Sequence, residues 1–336
     1  MSSGKTVLII GPGFIGWNVL DLLVGEGYIV AGYARRQSHA DGLKASGASK
    51  VVLGDLDDRA KITELVTQHD IIIHTATADH LPSVEAVLDG LKAAVRDGKG
   101  EGRIFIHTSG TSVFDDGAMG KFKGEKIYRD DRPDEIDEVA DTAIHREIDL
   151  AIVKAAKGDL GKVVRMGIMI PPLIYGWTHD RGTIQMPTLA RFALKHGFVP
   201  MIGQGLGVES NIHVLDLARA YITLLHHLEN NTPEAANENV YYFCECTDDD
   251  EPSWYDYSKF IGESLHSAGR IKDPEPKELE DEALWRDLFG SWTPPIVGMN
   301  SRSRAVRLRE LGGQPKEKDW KKSFVEDELP NILKAV

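Results

Sequence analysis

Thr6-Val7-Leu8-Ile9-Ile10-Gly11-Pro12-Gly13-Phe14-Ile15-Gly16 is the stretch on which the reading of the fold turns. A run of aliphatic residues ends in G-x-G-x-x-G, and Ile15, Val19, Leu22 and Leu23 then fall on one helical face until Gly25 and Gly27 stop it. A glycine turn that follows a strand and opens a helix is the setting in which this spacing binds a dinucleotide. Gly11 permits the tight turn, Gly13 lets backbone approach a pyrophosphate, and Gly16 lets helix and strand pack closely. The first N–H groups of the helix would face the phosphate charge, with Phe14 and Ile15 along the same ligand.

Beyond this turn, short β-branched runs at 28–32, 50–53, 70–74 and 103–107 alternate with helical periodicity such as Val84, Leu88, Leu91 and Val95. That alternation predicts a parallel sheet covered on both faces. Residues 111–138, which include GKFKGEKIYRDDRPDEIDE, lose apolar periodicity and read as a long surface loop over the site. Helical spacing returns at Ile144, Ile148, Ala151 and Ala155, before a sixth strand over 162–170 that Pro171-Pro172 stops. The expected fold is α/β and doubly wound, with a dinucleotide-binding domain over 1–165. A smaller lobe for substrate, mainly over 166–336, would return some segments to the sheet.

Composition narrows the partners. The chain has 336 residues, 42% of them hydrophobic and 27% charged, which is the composition of a folded protein. A formal net charge of -13 offers no uniformly basic surface, so nucleic acid is not expected. No apolar run is long enough to span a bilayer. Cys244 and Cys246 cannot build a disulfide framework and read as same-face strand positions, pointing to a reducing compartment. A cytoplasmic protein that binds a small molecule, without membrane and with a homodimer as a possible assembly, is the expectation. No His, Cys, Asp or Glu cluster has metal-ligand spacing.

The end of the second strand selects the dinucleotide. An acid there would bond a ribose 2′-OH, but the chain reads Gly32-Tyr33-Ala34-Arg35-Arg36. Two guanidinium groups fit a 2′-phosphate, which points to NADP(H); arginines on a solvated loop are the alternative. Asp55, next to Leu56 after the third strand, could accept from the adenine amino group or cap a helix.

With these residues placed, the chain resembles the extended short-chain dehydrogenase/reductase superfamily, in its atypical epimerase/dehydratase-like and NmrA-like branches. The resemblance covers most of the chain and includes IHTSGTSVF, PPLIYG, NIHVLDLARAY and the tail RAVRLRELGG. It implies a Rossmann domain with the site at the carboxyl edge of the sheet, where Thr75, Ser109 and Pro171 would meet the cofactor. Members of this superfamily use a Ser or Thr at the end of the fifth strand and a Tyr-x-x-x-Lys on the next helix. Here Gly110 stands at the hydroxyl position, flanked by Ser109 and Thr111, while Asp141 and His145 stand at the Tyr and Lys positions.

At i and i+4 of a helix, Asp141 and His145 would share a face, so His145 is expected to serve acid/base chemistry or ribose binding with Asp141 orienting it. A helix-surface ion pair is the plain alternative. Thr111, or Tyr128 reaching in from the charged loop, are the other proton-transfer candidates. Tyr175, Arg181 and Gln185 are expected to line the substrate pocket, and His213 and Asp216 to fix a strand–helix corner. The resemblance implies an NADPH-dependent reductase of a small carbonyl or related unsaturated metabolite with a non-standard triad. An NADP(H)-bound isomerase, epimerase or dehydratase, or a non-catalytic NADP(H) sensor, are the alternatives.

Overall fold

The computed structural model describes residues 4–246 and 251–335. In chain order its principal strands are β1 (Thr6–Ile10), β2 (Ile29–Ala34), β3 (Lys50–Leu53), β4 (Ile71–His74), β5 (Ile104–Thr108), β6 (Arg165–Ile170), β7 (Leu173–Tyr175), β8 (Asn211–His213) and β9 (Tyr241–Phe243). All but β7 and β8 join one parallel sheet in the order β9-β6-β5-β4-β1-β2-β3. β7 and β8 pair with each other. β9 comes from the second half of the chain and completes the sheet beside β6.

The main helices are α1 (Phe14–Gly25), α2 (Gln37–Ala45), α3 (Arg59–Thr67), α4 (Leu81–Arg96), α5 (Arg146–Lys157), α6 (Gln185–His196), α7 (Val214–Glu229) and α8 (Trp254–Ser267). Continuous aliphatic strands such as Ile71–His74 are buried on both faces because helices cover both. Ile62, Val84, Leu91 and Ile152 of α3 to α5 form the core on one side. Val19, Leu43, Leu217 and Leu224 of α1, α2 and α7 form it on the other. A third core, with Met186, Leu189, Trp254, Tyr257 and Phe324, holds α6, α8 and the C-terminal helices together.

The strand order puts β2 on one side of β1 and β4 on the other, so the connections leave β1 in opposite directions. A crevice opens at the carboxyl ends of strands where the order reverses in this way, and ligands of open α/β sheets bind there. The β1–α1 turn walls that crevice.

Several sequence expectations need correction. The sixth strand begins at Arg165, because Asp159–Lys162 close into a 3-10 turn first. Residues 111–138 are not a free surface loop: they contain the turn Thr111–Phe114, the helix Pro133–Asp137 and the strand Tyr128–Arg129, which pairs with Ser303–Arg304. Asp130 anchors them. Its buried carboxylate accepts the N–H groups of Phe243, Val306 and Arg307, satisfying three backbone donors at once. Apolar periodicity cannot report an element held by a polar side chain.

α5 starts at Arg146, so Asp141 and His145 do not share a helical face. His145 is the residue before the first turn and has a left-handed backbone, φ 67°. Asp141 sits in the exposed turn ahead of it. Cys244 and Cys246 follow β9 as free thiols, and the Cys246 Sγ contacts the carbonyl oxygen of Asn211 at 3.2 Å.

Close approach at the β1–α1 turn explains its glycines. Gly11 has φ +78°, and a Cβ there would lie 2.3 Å from the Ala76 Cα. A Cβ on Gly16 would lie 2.3 Å from Thr75 Oγ1, whereas the nearest atom to one on Gly13 is 3.8 Å away. Gly16 is therefore fixed by packing, while the space beside Gly13 belongs to the crevice. Gly16→Val should cost about 1–3 kcal/mol or more of stability through overpacking. Gly13→Val should stay near the cost of a changed helix cap, about 1 kcal/mol. Urea unfolding of both variants checks this, and equal losses would contradict it.

Candidate active site

The crevice at the end of β1 has a volume of about 820 Å³ and is lined by Gly11, Gly13, Phe14, Ile15, Arg35, Arg36, Asp55, Leu56 and Thr75. That is the size range of small-molecule and cofactor sites. α1 begins with no side-chain cap and no acid in its first turn, so its first N–H groups are left to the crevice. Thr75 Oγ1 donates to the Gly11 carbonyl at 2.9 Å and ties the turn to the end of β4. Gly16 is behind this contact, against Thr75 and Ile9.

Asp55 accepts the Asp57 N–H at 3.0 Å, and its carbonyl accepts the Tyr33 hydroxyl. The cap of α3 is Asp58, which accepts the Lys61 N–H at 3.1 Å. Asp55 is therefore not the helix cap.

One end of the crevice is cationic. Arg181 lines it together with Arg35, Arg36 and His39, so the structure puts Arg181 here and not at the substrate end. Arg181 is carried by a hairpin, Trp177–Thr178 paired with Arg181–Gly182, whose turn residues His179 and Asp180 both have positive φ, the requirement of a type I′ turn. This hairpin is fastened to α1. The His179 ring stacks on Trp17 at 4.5 Å, its Nε2 lies 2.8 Å from Asp21, and Asn18 donates to Thr178 Oγ1.

The guanidinium of Arg181 lies 5.4 Å over the Trp17 ring, and among the described residues none of the three arginines has a carboxylate partner. Burial, then the charges of Arg181 and Arg36, pushes the pKa of His39 down. The hairpin's role went unread in the sequence because nothing in its residues reports that it packs on α1.

A second pocket of about 240 Å³ opens from the same crevice past Ile15 and Thr75. Ser109, Gly110, Thr111, Pro171, Gln185 and Glu209 line it. Ser109 donates to the buried Asp149 at 2.9 Å, whose carboxyl is raised to about 7, chiefly by burial. Thr108 donates to the His74 carbonyl and meets the Tyr221 hydroxyl. The Thr111 hydroxyl is buried without a partner. His107 is fully buried and held neutral by desolvation.

The other proposed catalytic groups are differently placed. His145 lies beside Gly110, where a Cβ would be 3.2 Å from its Nε2, and its Nδ1 is 2.6 Å from Asp79. Its partner is thus Asp79, from the loop after β4, in place of Asp141. Tyr128 stacks on Phe114 at 4.0 Å and borders a different cavity with Phe122 and Arg302. Tyr175 is buried, donating to the Lys318 carbonyl and touching Cys246, and lines neither pocket. His213 caps α7 by accepting the Leu215 N–H, and Asp216 accepts the N–H groups of Lys316 and Glu317.

Glu209, Asp149 and Asp79 were missed in the sequence. Asp149, four residues after His145, was detectable as an acid at helical spacing; nothing local marks the other two. Among the described residues no helix is long and apolar enough to cross a membrane, and no acidic, His or Cys group could hold a metal.

Comparison with known proteins fits this geometry. A relative from Acremonium, the oxidase ucsJ, is 27% identical over 289 residues, covering 80% of each chain. The yeast methylglyoxal/isovaleraldehyde reductase Gre2, solved with NADPH, superposes with a TM-score of 0.63 at 15% identity, covering 98% of both chains. UDP-glucose 4-epimerase from Brucella ovis, solved with NAD, does so at 0.65 with 18% identity and the same coverage. Both share the seven-strand Rossmann architecture described above. The model of the 3-beta hydroxysteroid dehydrogenase/isomerase family matches residues 7–276. With its glycine turn, crevice and sheet order in place, the chain belongs to that family, within the extended short-chain dehydrogenase/reductase superfamily.

Proposed function

We propose that the protein is an NADP(H)-dependent oxidoreductase that reduces a small carbonyl compound or related unsaturated metabolite. The observation that carries this reading is the set of three guanidinium groups, Arg35, Arg36 and Arg181, gathered on one crevice with none of them paired to a carboxylate among the described residues. Like charges brought together repel unless an anion joins them, and planar guanidinium forks match phosphate oxygens. A 2′-phosphate supplies that anion; solved structures of this fold hold either NADPH or NAD, so the choice rests on the arginines.

In this reading the N-terminus of α1 and the Gly13 backbone hold the pyrophosphate, and Asp55 accepts from the adenine amino group. Ile15, Ser109 and Pro171 flank the far end. His145, at the position of the superfamily's lysine, holds the ribose there, with Asp79 fixing its ring. When bound, the cofactor supplies a hydride; the protein supplies orientation and a proton. The isomerase part of the family's description favours a second reading, in which the same bound cofactor serves a reaction without net redox change.

NADPH should bind roughly ten- to a hundredfold tighter than NADH, the value of a charge-assisted contact of about 1.5–3 kcal/mol. Calorimetric titration measures both. Arg36→Ala with Arg181→Ala should remove most of the difference, and equal affinities in the unmodified protein would contradict NADP(H) preference. Gly13→Val should remain folded by circular dichroism yet lose NADPH binding, since its side chain would fill the phosphate space; normal binding would show that the phosphates lie elsewhere.

His145→Ala should weaken NADPH and NADH alike, by roughly fivefold for one hydrogen bond of about 1 kcal/mol. A loss confined to NADPH would instead put His145 at the 2′-phosphate.

A further inference from the structure

Glu209 is 8% exposed, lies two residues before β8 and lines the substrate-side pocket. Thr111 lines the same pocket; the residue is 2% exposed and its buried hydroxyl has no hydrogen-bond partner. A buried polar group left unpaired is costly, so an unpaired hydroxyl on a residue that lines a pocket marks where a ligand's polar atom belongs. No Lys, Arg or His lines this pocket among the described residues, in contrast to the other end of the crevice. A diphosphate or carboxylate would meet an acid there, while the imidazole beside Gly110, that of His145, is already paired with Asp79.

We propose that Glu209 is the proton donor of this site, its carboxylic acid protonating the carbonyl oxygen of an uncharged substrate that the Thr111 hydroxyl holds. This rests on the reductase reading above. As the carbonyl carbon takes up the cofactor's hydride, the C=O π electrons move to oxygen. That oxygen takes the Glu209 proton and becomes the hydroxyl of the product alcohol. Glu209 is left as a carboxylate and recovers its proton from solvent once the product leaves.

The surroundings favour the protonated form of this acid. Burial first, and then the charge of Asp115, raises Glu209 well above the ordinary carboxylate range, against a smaller opposing effect of the Leu173 N–H. Asp115, in the segment after β5, is itself raised to about 8 by burial and by Asp116. Tyr257 of α8 faces Glu209 and stays neutral, its hydroxyl accepting from Asn211. Burial therefore favours the protonated acid over its carboxylate, and a donor of this kind loses activity as pH rises through its ionisation.

The test uses the full chain labelled with 13C in glutamate side-chain carboxyls. NMR titration should show a carboxyl that is absent in Glu209→Gln and still protonated at pH 7. A Glu209 resonance that ionises in the ordinary range, near 4.3, overturns the proposal whatever the activity.

The same variant should leave the NADPH Kd unchanged and slow reduction of methylglyoxal or isovaleraldehyde by about 10²–10⁴-fold. Unchanged turnover would also overturn it. Asp115→Asn, which removes a neighbouring charge, should move the alkaline limb of the kcat/KM profile to lower pH; an unmoved limb counts against Glu209 as the titrating group. If the unmodified protein oxidises NADPH with neither aldehyde, the reductase reading fails at that point, and the carboxyl titration still decides the state of Glu209.

Discussion

Everything at this site depends on how closely the β1–α1 turn approaches the end of β4. Gly11 touches Ala76, and Gly16 leaves only enough room for the Thr75 hydroxyl, which in turn bonds the Gly11 carbonyl. This contact can be made only where side chains are absent, and it aims the open N-terminus of α1 into the crevice at the point where the strand order reverses. A β-branched residue at Gly16 would push α1 outward. The hairpin that carries Arg181 is fastened to Trp17, Asn18 and Asp21 of that same helix, so the turn also determines where the third guanidinium sits.

Charge is divided sharply along the crevice. One end gathers three unpaired arginines and a histidine whose pKa is depressed; the other has hydroxyls, a glutamine and a buried acid. An elongated ligand with anionic and uncharged ends has only one good orientation in such a field. The superfamily's Tyr-x-x-x-Lys would place a cation and a phenol together near the uncharged end. Here His145 is held by Asp79 beside Gly110, and Glu209 lines the pocket from the segment before β8.

What the sequence could show followed from local physics. The aliphatic run before Gly11, the helical face of Val19 and Leu23, and the pair Arg35-Arg36 each announce their position through spacing or residue type, and the structure has them on β1, on α1 and at the end of β2. Contacts between distant segments carried no such signal. Asp79 meets His145 across 66 residues, and Asp130 holds Phe243, Val306 and Arg307 from more than a hundred residues away. The Asp141–His145 pairing failed for a local reason: the helix that would have aligned them begins only at Arg146, five residues after Asp141 and just past a left-handed His145.

The central claim is that the arginine end of the crevice reads a phosphate on the adenosine ribose. Titration of the full chain with 2′,5′-ADP and with 5′-AMP isolates that group from the nicotinamide and from any substrate. The account predicts that 2′,5′-ADP binds at least about tenfold tighter, with an advantage that shrinks as salt is added, as a contact between charges near solvent must. Equal binding of the two fragments, or an advantage indifferent to salt, would contradict it.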